Sequence, residues 1–533
     1  MKNILKEIEA NYPVERVLVN GHQVWSYLRV RYNSMYRVKE ASQQGERGAR
    51  YPSFPRTRKQ SLMQRLMHKM KLKHMPGLVL RLVRLLELAR TLMKKLKRMP
   101  ILKRLLWPLQ TARKLQIFYG FKNWFGNYEY IVLSNSAERR ELDGKLFHKL
   151  IDPVSDRLGR DNVLYIENGS PSLCPIEKVY SRHIVSRGLL LLLARIMVSF
   201  MPGKCEIQGN AILKSIQHDY GLKVDDLRVI KFFNAQRKLF SLMFRMIKPR
   251  AVFVTDYISY SPAIKAAKEL GIKVMEFQHG TIGKEHPSYN IDVEIDRGCF
   301  PDYLLVFGRR ELETFANSYF IEAEHVLPIG SFYIENVRND YVLESSLVKK
   351  LKNYNRTVAV TLQWAYEKRT IEFIVQAANL DPHIFYILIP RLAVTGGPEE
   401  AKHAAAEYLT LELPGNVAVV TDKDFYKLMM YVDFHATIFS TCALEAPSLG
   451  TQNILTNIDN MAKKYFETLL YDKRITRYVD TPEEFVHTIN NFRRLARNTV
   501  CKLNQNIIAM DYERNMEKLI SEHFLDECEG RKR

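Results

Sequence analysis

The sequence is poor in cysteine and has no long apolar run. Six cysteines (Cys174, Cys205, Cys299, Cys442, Cys501 and Cys528) are scattered through 533 residues, with no C-x-x-C and no clustered histidine. That spacing argues against a zinc ribbon or a disulfide framework and fits a reducing compartment. The best apolar stretch, 188–201, is interrupted by Arg195 and falls short of the ~20 residues a membrane-spanning helix needs. It reads as a buried helix. The opening residues, MKNILKEIEANYP, are charged and lack the apolar centre of a signal peptide. No G-x-x-x-x-G-K-[ST], G-x-G-x-x-G or G-x-S-x-G occurs, which disfavours a P-loop NTPase, a dinucleotide enzyme of the usual kind and a serine hydrolase. A cytoplasmic protein without a transmembrane segment is expected.

Acidic residues are also short: 58 Asp+Glu face 80 Lys+Arg, a net charge of +22. The imbalance is local. Between residues 56 and 115, eighteen basic side chains meet only Glu87, so this stretch carries +17 and the rest of the chain about +5. Within it, Leu78, Leu82, Leu85, Leu86, Ala89, Leu92, Met93 and Leu96 recur in steps of three and four, one face of a helix. Arg81, Arg84, Lys94, Lys95, Lys97 and Arg98 lie largely off that face, and Pro76 and Pro100 bound it. Leucine on one side and cations on the other suit a helix lying on an anionic membrane surface. Packing on a core or a partner stays open; nucleic acid is disfavoured because few aromatics are interleaved for base stacking.

Elsewhere short β-rich runs alternate with helical stretches. Strands are expected at 128–136, 162–169, 251–257, 272–280, 303–308 and 325–331, then at 356–364, 383–391, 416–422, 433–441 and 452–457. Helices are expected at 261–271, 367–379, 399–411 and 424–432, mostly through 178–249, and in a tail over 481–522. An apolar fraction of 46% with 11% aromatics can fill sizeable cores. Such alternation predicts an α/β protein of two Rossmann-like domains, each on a parallel sheet, with a cleft between the carboxyl ends of the strands. The expected divisions are an α/β segment and linker (1–55), the basic helical region (56–119), two Rossmann-like domains (120–340 and 341–490) and a helical tail (491–533).

Chemistry is expected at strand ends. Ser440 and Thr441 stand at the turn from a strand into a helix, where hydroxyls and free N–H groups suit a phosphate; Glu445, about one turn on, suits a ribose diol. Plain capping is the alternative. Gln363, Trp364 and Arg391 end two strands of the second half and should face the same cleft, where Arg391 would neutralise a phosphate. In the first half, His279 ends a strand before Gly280, a place for a general base. Lys284, His286 and Tyr289 follow on the same loop as candidate acceptor contacts. Asp256, ending the adjacent strand, would orient or replace that base, or else cap the next helix. Asp422 and Asp424 form a D-x-D of ordinary loop polarity, so no metal site is assigned.

Two Rossmann-like halves with the late S-T-x-x-x-E-A-x-x-x-G stretch (Ser440, Thr441, Glu445, Ala446, Gly450) resemble the GT-B class of glycosyltransferases. Gln278–His279–Gly280–Thr281, with Lys284, is similar to the H-G-T motif of bacterial CDP-glycerol glycerophosphotransferases and to the Q-H-G of capsule and lipopolysaccharide transferases. His435 departs from the former, lying at a strand start rather than its end. The resemblance covers roughly residues 125–490. It implies a nucleotide-sugar donor in the C-terminal half (Ser440, Thr441, Glu445, Arg391, Gln363), a glycan or lipid-linked acceptor in the N-terminal half, and catalysis by His279 with Asp256. It implies leaving-phosphate stabilisation by helix N-termini and cations with no metal or further cofactor. The protein would then work at the inner face of the cytoplasmic membrane. Alternatives are a polyol-phosphate transferase using a CDP-linked donor, or a non-catalytic scaffold of a glycan assembly complex.

Overall fold

A computed structural model describes residues 4–43, 116–169, 173–201, 206–283, 286–315, 318–340, 345–363, 366–391, 412–421, 425–470 and 472–522. The expected basic helix with Arg81, Arg84, Lys94, Lys95, Lys97 and Arg98, the expected helix at 399–411, Trp364, Lys284, Asp422 and Asp424 lie outside the described residues.

Apolar, β-branched runs form the strands. In the first lobe these are β3 (Tyr130–Asn135), β6 (Val163–Asn168), β7 (His183–Ser186), β8 (Ala251–Val254), β9 (Lys273–Phe277), β10 (Tyr303–Val306) and β11 (Val326–Pro328). They make one parallel sheet in the order β11-β10-β9-β8-β3-β6-β7. In the second lobe β12 (Arg356–Thr361), β13 (Ile384–Ile389), β14 (Val417–Val419), β15 (Phe434–Ala436), β16 (Gln452–Thr456) and β17 (Thr476–Val479) form a parallel sheet in the order β14-β13-β12-β15-β16-β17. Both lobes are Rossmann-like: the chain winds outward from β3 or β12 one way, returns, and winds out the other, leaving a crevice at the carboxyl ends of β3/β8 and β12/β15. The α/β class and two-domain architecture expected from the sequence are observed.

Burial on both faces explains the near-continuous apolar strands. Along β3, Ile131 and Leu133 enter one core and Tyr130 and Val132 another; along β12, Val358 and Val360 alternate with Ala359 in the same way. The core holding Val132 and Ala359 runs through both lobes without a break.

Four findings revise the expected organisation. Residues 4–43 share their core with Ile131, Leu133 and Val252 and belong to the first lobe; the ion pair of Arg29 and Glu9 at 2.7 Å is wholly buried there. Within that same segment a short hairpin pairs β1 (Leu18–Val19) with β2 (His22–Gln23), ahead of the Trp25–Gln43 helix. In the stretch read as mostly helical, β7 forms the sheet edge. A second hairpin, β4 (Arg139–Leu142) with β5 (Lys145–His148), follows β3, turning at Asp143 and Gly144, both with positive φ as a two-residue primed turn requires.

The fourth finding concerns the tail, which is no separate unit. After the Arg497–Leu503 helix the chain crosses back to the first lobe, where the N–H of Ala509 donates to Phe307 O at 2.7 Å and Tyr512 packs on Phe332. Two glycines make room. A Cβ on Gly308 would stand 2.4 Å from Ile507 O, and one on Gly330, at φ +84°, 2.4 Å from Ala509 O.

Candidate active site

The loops leaving β9 and β15 face each other across the lobes. Thr281 and Thr441 approach to 3.5 Å between hydroxyl oxygens, so two stretches selected separately from the sequence, 160 residues apart, meet in one place.

On the first-lobe side, buried Gln278 sets the loop. Its carbonyl accepts from the N–H of Phe307 at 2.8 Å, and its amide nitrogen donates to Gly280 O and to Glu311 Oε1, each at 2.9 Å. The next residue, His279, is half-buried, and its Nδ1 is shut off from solvent without a hydrogen-bond partner. A ring so placed keeps a buried polar nitrogen that the protein itself does not satisfy.

Beneath this loop, burial raises Glu276 to about 8 although Tyr289 Oη and the N–H of Tyr257 donate to it. The carboxyl is therefore neutral at pH 7. A folded-state value above the unfolded one contributes stability that is complete below pH ~4.5 and lost as pH rises through about 8. Thermal unfolding should show the wild type losing stability between pH 7 and 9, and Glu276→Gln, neutral throughout, losing markedly less over the same interval.

On the second-lobe side, the carbonyl oxygen of Gln363 accepts from the N–H of Phe439 at 2.9 Å, tying the ends of β12 and β15 at the crevice. Strand β15 stops at Ala436, well short of the expected 433–441, and the helix that follows is only Cys442–Glu445 before a tighter turn at Ala446–Leu449. The N–H groups expected to be free are paired: Cys442 with Ser440 Oγ, Ala443 with Ser440 O and Leu444 with Thr441 O. One helical turn also carries little macrodipole. What this loop offers is hydroxyls, not a helix terminus. Arg391 is exposed, two residues beyond the end of β13.

Glu445 is buried. Its Oε1 accepts from Tyr426 Oη at 2.8 Å and lies 3.7 Å from Lys149 Nζ. Lys149 comes from the first lobe, at the end of the β4–β5 hairpin, donates to Tyr426 Oη at 3.0 Å and lies 3.5 Å from Glu138. The lysine thus sits between a carboxylate of each lobe. Burial would raise Glu138, but Lys149, Arg140, His279 and His148 outweigh it and hold Glu138 down at about 2. His148 is fully buried and pushed down to about 3 by burial and by Arg139. Glu138, Arg140, His148, Lys149 and Tyr426 were not selected from the sequence; the available signal was the charge density of ERRELDGKLFHK around a D-G turn.

Three selected residues take structural positions. Asp256 is the N-cap of the Tyr257–Lys268 helix: one carboxylate oxygen accepts from the N–H groups of Ile258 and Ser259, the other from Ser259 Oγ at 2.5 Å. The capping alternative is the observed one, and Gln278 positions His279 instead. Tyr289 is buried in an aromatic cluster with Tyr257 and Phe320, its hydroxyl donating to Glu276 at 2.7 Å, so it faces the core and not the cleft. His286 packs on the Tyr289 ring, accepts from the N–H of Ser288 at 3.3 Å and is pushed down by burial to about 3. In the second lobe His435 lies buried between Thr361 and Asn453.

No helix among the described residues is long and apolar enough to cross a membrane. No protein-family model matches the chain, and no curated protein matches it. Solved structures are similar to it in chain path. The glycosyltransferase SnogD from Streptomyces nogalater shares 15% identity over 74% of this chain and 99% of its own, with a TM-score of 0.45. The α,α-trehalose 6-phosphate synthase from Burkholderia multivorans shares 12% over 74% and 96%, at 0.43. The UDP-GlcNAc 2-epimerase from Neisseria meningitidis, solved bound to UDP-GlcNAc, shares 12% over 74% and 99%, at 0.40. At such identities and TM-scores the likeness has no bearing on what this chain binds.

Proposed function

We propose that the protein is a glycosyltransferase that moves a sugar from a nucleotide-activated donor to a lipid-linked or surface glycan at the inner face of the cytoplasmic membrane. One observation carries this reading: the His279 loop and the Ser440–Thr441 loop meet across the cleft at 3.5 Å. Donor phosphates lie against the Ser440 and Thr441 hydroxyls with Arg391 nearby, and Gln363 holds that loop in shape. Glu445 is the candidate ribose contact. In the reaction, an acceptor hydroxyl oxygen bonds to the anomeric carbon as the bond from that carbon to the donor phosphate breaks. The hydroxyl proton passes to His279, and the nucleoside diphosphate leaves with the electron pair. Lys284 is retained as a candidate acceptor contact.

A second reading is supported by the cations around Glu138, a group His279 also acts on. They are Arg140 and Lys149, and positive charge there suits attack at phosphorus, as in polyol-phosphate transfer from a CDP-linked donor. A panel of UDP-, GDP-, CMP- and CDP-linked donors, read by thermal stabilisation of the full chain and by donor turnover, separates the two. Stabilisation by a sugar nucleotide, lost in a Ser440→Ala/Thr441→Val double variant, is the expected outcome. Preference for CDP-glycerol or CDP-ribitol would favour the second reading, and silence across the panel a non-catalytic scaffold.

A further inference from the structure

Away from the cleft, the β7 edge of the first lobe carries an unusual surface. The 121–125 turn is fastened to β7 by Asn123 Nδ2 donating to Ile184 O at 3.0 Å and by the N–H of Ser186 donating to Tyr119 O. It presents Phe118, Phe121 and Phe125, whose rings touch in sequence, and Phe118 and Phe125 are 76% and 78% exposed. The Gly188–Phe200 helix follows β7 directly; expected to be buried, it buries only one face and leaves Phe200 82% exposed. Its neighbour, the Asp226–Ile247 helix, is tied to this edge by Gln236 accepting from Arg187 at 2.9 Å and exposes Leu242 and Met246. Large apolar side chains at such exposure on adjoining elements mark an interaction site.

The charge on the same elements identifies the partner. From 116 to 126, from 188 to 200 and from 227 to 250 there is no Asp or Glu. Among the aromatics and leucines stand exposed Lys122, Arg195, Lys238, Arg245 and Lys248. A protein partner of ordinary composition would meet this with mixed charge; a surface offering an apolar interior below a layer of anionic phosphates matches both components at once. The described chain reaches this edge at Gln116, directly after the 56–115 stretch with its +17. We infer that the β7 edge of the first lobe, through Phe118, Phe121, Phe125, Phe200, Leu242 and Met246, docks on an anionic lipid bilayer. The inference adds a folded surface to the membrane location proposed above and does not depend on the transfer chemistry.

The test uses the full chain with phosphatidylcholine vesicles containing or lacking phosphatidylglycerol. Anionic vesicles should protect peptides covering 117–126, 190–200 and 238–248 from hydrogen exchange. A triple Phe125→Ser/Phe200→Ser/Met246→Ser variant should bind them at least about tenfold more weakly, with melting temperature and nucleotide response unchanged. Equal vesicle binding by the variant would overturn the inference, as would the same protection arising without vesicles on raising protein concentration, which would mark the face as a contact between copies. A variant that loses its nucleotide response but still binds vesicles bears on the transferase reading alone.

Discussion

His279→Ala is expected to lower the transfer rate by roughly 10²–10⁴-fold, the usual contribution of a positioned general base, while donor affinity stays within about threefold. The reason for the split is positional. His279 belongs to the first-lobe loop, and the residues assigned to the donor are in the second lobe, so removing the imidazole takes away the proton acceptor without touching the phosphate contacts. Its Nδ1 has no hydrogen-bond partner, so the substitution leaves no group in the protein unsatisfied and the melting temperature should hardly move. Rate and Kd for the donor, measured on the same preparation, decide the matter. Equal losses in both would make His279 a binding residue; full activity would remove it from the mechanism. Gln278→Ala supplies the complementary case. Its side chain makes three hydrogen bonds, with Gly280 O in its own loop, with Glu311 and with the N–H of Phe307 just past β10, so its loss should reduce rate and stability together, as a positioning residue does.

The largest effect on stability is expected from Arg139→Ala. Arg139 is buried on β4, with Glu167 at 2.7 Å, Asp152 at 3.7 Å and the Ser181 hydroxyl at 3.2 Å. The guanidinium is the charge that offsets both carboxylates; burial raises Asp152, and Arg139 opposes it only in part. Deleting one member of a buried ionic set costs roughly 3–5 kcal/mol, because the survivors remain desolvated and uncompensated. Lysine should recover only part of this, since a single ammonium cannot reproduce the fork that spans Glu167, Ser181 and Leu146 O. The pH dependence carries a definite sign. Without Arg139 nothing of like strength opposes the effect of burial on Asp152, which rises further and holds its proton more readily folded than unfolded, so the deficit should be larger at pH 8 than at pH 5. Urea midpoints at both values measure it, and a pH-independent deficit would mean that lost packing, not charge, is responsible.

What could be read from the sequence follows from how local each feature is. Strands such as Val358–Val360 or Ile384–Ile389 are covered on both faces, and a strand covered on both sides has to be apolar throughout, which is visible without any partner. Strand β7 is four residues, HIVS, at a sheet edge, too short and too polar to show a period. The β4–β5 hairpin reads as RREL and KLFH, with no clear period, and its meaning rests on Glu167 and Glu445, which lie outside it in the chain. Likewise His279, Ser440 and Thr441 stand out as reactive groups at strand ends, whereas Lys149 acquires significance only from carboxylates in two lobes. Asp256 shows the converse: an acidic residue at a strand end is equally a helix cap, and spacing cannot separate the two.

The return of the tail to the first lobe has a consequence for biosynthesis. Phe147, Phe332 and Tyr512 form one aromatic chain in the core, yet Tyr512 is made about 180 residues after Phe332. At about 5–20 residues per second, the ribosome needs roughly 10–35 s to cover that distance. Through that interval the first lobe stands with its sheet complete and one wall of its core uncovered, while the whole second lobe is being synthesised and folded. A nascent chain of this design depends on its own later segments, or on a chaperone, to shield the gap. The glycines at 308 and 330 keep the seat for those segments clear until they arrive.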